Sequence, residues 1–155
     1  MKMYVTSRQQ ATLDLWSRLL PASMAIDFVN EDVRSIRADV LVMSGVWAFD
    51  RYGGSPNREA AQVLSNATGD GLPEWIVVPP FRPIVERDGK FIIRRDFQKI
   101  SPAYHAILES LRVVKNEFGD SVRVALDLPM LGMDDPCDES TPTSAASAIE
   151  VFLNA

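Results

Sequence analysis

The chain has one cysteine, Cys137, and one histidine, His105, in 155 residues. A lone cysteine excludes an internal disulfide framework and leaves a reducing, cytoplasmic setting as the expectation. One His with one Cys excludes a His/Cys metal cluster within a single chain. No apolar run approaches the ~20 residues of a membrane span, and "MKMYVTSRQQ" lacks the apolar core of a signal peptide. Positive charge is also short: 16 Lys and Arg face 21 Asp and Glu, a net charge of -5. That balance argues against a protein that grips nucleic acid by neutralising phosphates. No repeat, low-complexity tract or long linker divides the chain, so residues 1–155 read as one domain. The remainder, 46% hydrophobic and 24% charged, is ordinary for a folded protein.

Periodicity supplies the elements. "MYV" (3–5) is β-prone. Ser7 followed by Gln10 has the spacing of a capping box, and Leu13, Leu15, Trp16 and Leu19 mark a helix that Pro21 ends. "MAIDFVN" (24–30) alternates as a half-buried strand does. "DVLVM" (39–43), "EWIVVPP" (74–80) and "VRVALDLP" (122–129) read as strands, the first two covered on both faces. Asp88-Gly89 predicts a hairpin over 83–95. Ile107, Leu108, Leu111, Val114 and Phe118 stripe a long helix that opens at Ser101-Pro102 and stops at Gly119. Thr141-Pro142 open a last helix with Ala145, Ala148, Ile149 and Phe152 inward.

"WAFDRYGGSPNREAA" (47–61) raises the functional question. Gly53 and Gly54 run into Ser55 and Pro56, which suit an N-cap and a first helical residue. Ala60, Ala61, Val63, Leu64 and Ala67 would then form a slim helical face. Strand, glycine turn and helix N-terminus together hold anions, through free N–H groups and the helix dipole. The same residues also suit a simple tight turn. With this helix the order is β-α-β-β-α-β-hairpin-α-β-α. It predicts a three-layer α/β/α sandwich with a mixed, mostly parallel sheet. In such folds ligands lie at the carboxyl ends of the central strands, where loops 43–56 and 129–141 would meet.

The succession "FVNEDVRSIRADVLVMSGVWAFDRYGGSPNREAA" resembles the opening of macro domains, the ADP-ribose-binding modules. "NEDV" stands for the family's Gly-Asp motif, "ADVLVMSGV" for its "ADAIVNAAN" strand, and Gly53-Gly54 for the end of its glycine run. "SPAYHAILESLRVVKNEFGDSVRVALDLPMLGMD" resembles its long helix, next strand and phosphate loop, with Gly132 at the loop's central glycine. "YVTSRQQATLDLW" is similar to the extra strand and helix of a bacterial and phage branch, whose helix reads roughly "RNPELVEAW". The resemblance spans nearly the whole chain. It implies that Asp32 accepts a hydrogen bond from the adenine amino group, with Val33 beside it. It also implies a ligand cradle of Ser44, Gly45, Val46, Gly53, Gly54 and Ser55, closed by Leu131, Gly132, Met133 and Asp134. Met43 and Val46 replace the family's asparagines, the second of which orients water or ribose in its hydrolases. Arg51 and Tyr52 interrupt the glycine run, and Asp134 stands where an aromatic packs on the distal ribose.

Other residues carry two readings each. Asp32 also suits a turn aspartate. Trp47, Phe49 and Tyr52 either stack on a base or pack on the core. Asp134, Asp135, Asp138 and Glu139 would repel a pyrophosphate by about 1 kcal/mol per close pair even in water. They suit a hard cation or, more simply, an acidic approach to a helix N-terminus, so no metal site is expected. His105 reads as a helix-face or partly buried histidine, with no serine or cysteine nucleophile placed for it. Arg82, Arg87, Lys90, Arg94, Arg95 and Lys99 read as a solvated basic face. Three functions follow. The first is a module binding ADP-ribose or a related nucleotide, without hydrolysis or cofactor. The second is a degenerate macro fold serving protein interaction or phage-related assembly. The third is an ADP-ribosyl hydrolase with a non-standard site.

Overall fold

A computed structural model describes residues 1–57, 59–80, 84–88, 90–93, 102–132 and 135–155, with backbone alone for 84–87, 90–93 and 102. The protein is α/β, with a six-stranded, mostly parallel sheet and helices on both faces. The first strand, β1 (Lys2–Thr6), leads through helix α1 (Gln10–Leu19) to β2 (Ala25–Val29). A 3-10 turn, Val33–Ser35, precedes β3 (Val40–Val42), and helix α2 (Gly45–Tyr52) follows. β4 (Gln62–Ser65) and β5 (Trp75–Val78) come next, then the hairpin β6 (Ile84–Arg87) and β7 (Lys90–Ile93). Helix α3 (Pro102–Phe118), β8 (Arg123–Asp127) and helix α4 (Ser140–Leu153) complete the chain.

Strand order is β2-β1-β8-β3-β5-β4. All pairs are parallel except the edge pair β4–β5. β3 is buried at every residue, as a central strand without alternation must be. Successive side chains still point to opposite faces. Met3, Val5, Val40, Val42, Val124 and Leu126 therefore meet α1, α3 and α4 on one side. Leu41, Ile76, Val78 and Ala125 meet Ala48 of α2, Val33 and Leu72 on the other. The hairpin pairs only with itself among the described strands, and Asp88, which follows β6, has a positive φ of 54°, as hairpin turns favour.

The predicted helix from Ser55 does not form. The helix of this region is α2, which starts directly after β3, and Gly53, with φ 85°, is its C-terminal stop. Residues 62–65 form β4 instead. Val63 packs into the larger cluster and Leu64 into the smaller, an alternation that a strand satisfies. The spacing of Ala60, Val63, Leu64 and Ala67 fits a helix locally, but pairing along β5 overrides it. Asn57 Oδ1 accepts from the N–H groups of Glu59 and Ala60, so that turn is capped without a helix following. Ser7 makes no capping box: its Oγ accepts from Gln9 N–H at 3.1 Å. Within α1 the buried stripe is Leu13 and Trp16, with Leu15 and Leu19 half-buried.

Candidate functional site

α1, which follows β1, packs on one face of the sheet, and α2, which follows β3, packs on the other. β8 lies between β1 and β3. Connections that leave in opposite directions open a crevice at the carboxyl ends of the strands between them. By that rule the crevice is expected over the end of β8, where the residue is Asp127.

Asp127 is 9% exposed and accepts a hydrogen bond from Thr6 Oγ1 at 2.7 Å, across the β1–β8 register. Its second oxygen takes no hydrogen bond from the described residues and is not sealed in the interior. Burial pushes the Asp127 carboxyl above its usual range, and the charge of Asp32 adds to this, while Thr6 and Arg34 oppose it. The sign follows: a carboxyl raised in the folded state costs stability when ionised, and the cost declines as pH falls below its folded value and is gone below its unfolded value. Asp127→Asn keeps an acceptor for Thr6. It is expected to stabilise the protein at pH 7 by on the order of 1 kcal/mol, or about 2–4 °C in Tm. Melts at descending pH should show wild type and variant converging.

On one side of Asp127 stands the 3-10 turn. Asp32 caps it, accepting from Arg34 N–H at 2.9 Å and lying 3.3 Å from Arg34 Nη1. The Arg34 N–H foremost, aided by its guanidinium and that of Arg8, holds the Asp32 carboxyl below its usual value against desolvation. Val33 is buried, so only its backbone is offered; its N–H has no backbone acceptor among the described residues.

On the other side stands the N-terminus of α2. Ser44 N–H donates to Met130 O at 2.9 Å, which ties the end of β3 to the loop after β8. The N–H groups of Gly45 and Val46 have no backbone acceptor among the described residues, as expected in a first helical turn. Ser44 Oγ is buried and unpartnered among the described residues. Gly132, at φ 62°, packs so closely on Ser44 that a Cβ would sit 2.4 Å from Ser44 Oγ. Gly45 is likewise required, because the Phe49 ring occupies the space of a side chain. Val46 is 81% exposed and Trp47 45% exposed at this turn.

The structure brings Ser44, Gly45, Val46, Leu131 and Gly132 together, with Leu131 buried and lending only backbone. It does not bring Gly53, Gly54 and Ser55 there. They lie at the far end of an eight-residue helix, about 12 Å along its axis. They face the edge strand instead, where Ser55 O accepts from Gln62 Nε2 and Gly54 packs near Leu64. Met133 and Asp134 lie outside the described residues, as do Arg82, Arg94, Arg95 and Lys99. Asp138 Oδ1 accepts from Ser140 N–H at 2.9 Å and Asp135 Oδ1 from Cys137 N–H at 2.9 Å, so both serve the approach to α4. No group of three potential metal-binding side chains occurs among the described residues. Phe49 and Tyr52 pack on the core, Tyr52 donating to Asp70, and Met43 is wholly buried. His105 is buried on α3.

Thr6, Asp127 and Arg34 were not among the sequence candidates. The signal for Asp127 was a carboxylate inside the apolar run "VALDLP". Among the described residues no helix is long and apolar enough to cross a membrane. No protein-family model matches the chain, and no curated protein matches it.

Proposed function

We propose that this protein is a small-molecule binding module whose crevice takes ADP-ribose or a related nucleoside diphosphate, in the manner of the macro domains it resembles. The observation that carries the reading is the first turn of α2. Among the described residues, the N–H groups of Gly45 and Val46 have no acceptor and adjoin a Ser44 hydroxyl without a partner, at the switch point of the sheet. Helix N-termini so placed favour phosphate. Asp32 and the Val33 N–H supply an acceptor and a donor for the edge of a base. Hydrolysis is not part of the proposal. Met43 is core, and Val46 brings an apolar side chain where the family's hydrolases orient water.

The expected result is thermal stabilisation by ADP-ribose. At a hundred times its Kd the ligand adds about 2.7 kcal/mol, several degrees at this length. Asp32→Ala should diminish the shift. Absence of any shift at millimolar ADP-ribose would reject the reading. A second reading, a protein-interaction role, is favoured by the exposed Val46 and Trp47 on one helical turn. It expects a partner whose binding Trp47→Ser abolishes while any response to ADP-ribose stays unchanged.

A further inference from the structure

Asp127 is the carboxylate that ends β8 at the switch point, and the proposed phosphate cradle does not use it. A buried, ionisable side chain at the end of a central strand costs stability unless a partner compensates it. Its one protein partner among the described residues, Thr6 Oγ1, serves a single oxygen. The other oxygen takes no hydrogen bond from the described residues and is not sealed in the interior. A phosphate is excluded as its partner, because two anions repel at this distance. A ligand group that donates a hydrogen bond fits.

The order of elements says which group. Along the carboxyl edge, the turn bearing Asp32 follows β2, Asp127 ends β8, and the N-terminus of α2 follows β3. β8 and β3 are adjacent, about 4.8 Å apart. Val33 of the 3-10 turn shares a buried cluster with Ala125 of β8, which sets that turn near the strand Asp127 ends. A nucleotide with its base at Asp32 and its phosphates at α2 therefore lays its sugar over the end of β8.

We infer that Asp127 reads the sugar next to the base, its free carboxylate oxygen accepting a hydrogen bond from the 2′- or 3′-hydroxyl of that ribose. This rests on the nucleotide reading above. Thr6 is a positioning residue: its hydroxyl fixes one oxygen and aims the other.

The test is calorimetric titration of the full chain with ADP, 2′-deoxy-ADP and 3′-deoxy-ADP. Wild type should prefer ADP over one of the deoxy ligands by about tenfold or more, the range of a hydrogen bond to a charged group. Which ligand loses affinity identifies the hydroxyl. In Asp127→Ala the three ligands should bind alike, and Asp127→Asn, which keeps an acceptor oxygen, should show a reduced preference. A merely structural role for Asp127 would lower all three affinities in one ratio and leave the preference intact; that outcome overturns the inference, as does equal binding of the three by wild type. Should Asp127→Ala fail to fold, the Asn variant carries the comparison, and an unchanged preference there rejects the inference. If wild type binds neither ADP nor ADP-ribose, the nucleotide reading falls and this inference with it.

Discussion

Trp16→Ala is expected to remove about 3–5 kcal/mol of stability. Trp16 is fully buried between α1 and the sheet, in the cluster that includes Met3, Val5 and Ile149. Its Nε1–H also donates to Pro136 O at 2.8 Å, which fastens the loop before α4 to α1. A domain of this kind has only about 5–15 kcal/mol in total, so the variant should sit near the limit of folding. Denaturant titration measures the loss. Trp16→Phe separates the two contributions: it keeps most of the buried ring but gives up the hydrogen bond, worth about 1 kcal/mol. If Trp16→Ala lost less than about 1 kcal/mol, the packing of α1 against this sheet would be refuted.

Gly132→Ala should damage both stability and ligand response. The residue sits at φ 62°, where a side chain costs roughly 1–2 kcal/mol. The added Cβ would also lie 2.4 Å from Ser44 Oγ and 2.5 Å from Ser44 Cβ. Rotating the Ser44 side chain moves only the oxygen. Its Cβ is held by the backbone, which is pinned through Ser44 N–H to Met130 O and begins α2. The loop must therefore shift, at a typical overpacking cost of about 1–3 kcal/mol. The shift displaces the N-terminal turn of α2, so stabilisation by ADP-ribose should be lost with it. Ser44→Gly on the Gly132→Ala background removes both clashing atoms. It should recover the overpacking part of the stability and leave the backbone part. A ligand response unchanged in Gly132→Ala would mean that the phosphate cradle lies elsewhere.

Asp127 and Thr6 show why the site was only partly legible in sequence. They lie 121 positions apart, on strands whose adjacency local spacing does not encode. Asp32, Ser44 and Gly132 carried visible signals: a turn aspartate, the end of an apolar run, a loop glycine. Gly53-Gly54 carried a signal of the same kind and proved to be a helix stop. A glycine pair marks a backbone freed for positive φ, and that freedom serves a C-cap as readily as a phosphate turn.

Sequence by itself determined the central strands, because runs such as "VLVM" and "WIVV" are apolar on both faces and suit only a covered sheet. It also determined α1, α3 and α4, whose apolar residues recur at helical spacing beside proline or glycine stops, and the hairpin strands on either side of Asp88. Only the tertiary structure decided that residues 62–65 are a strand, since the same side chains fit either period until β5 offers an unpaired edge. It alone placed β8 between β1 and β3. Strand order is set by which faces can be buried together, a long-range competition that no local window contains, and that order put a carboxylate at the mouth of the crevice.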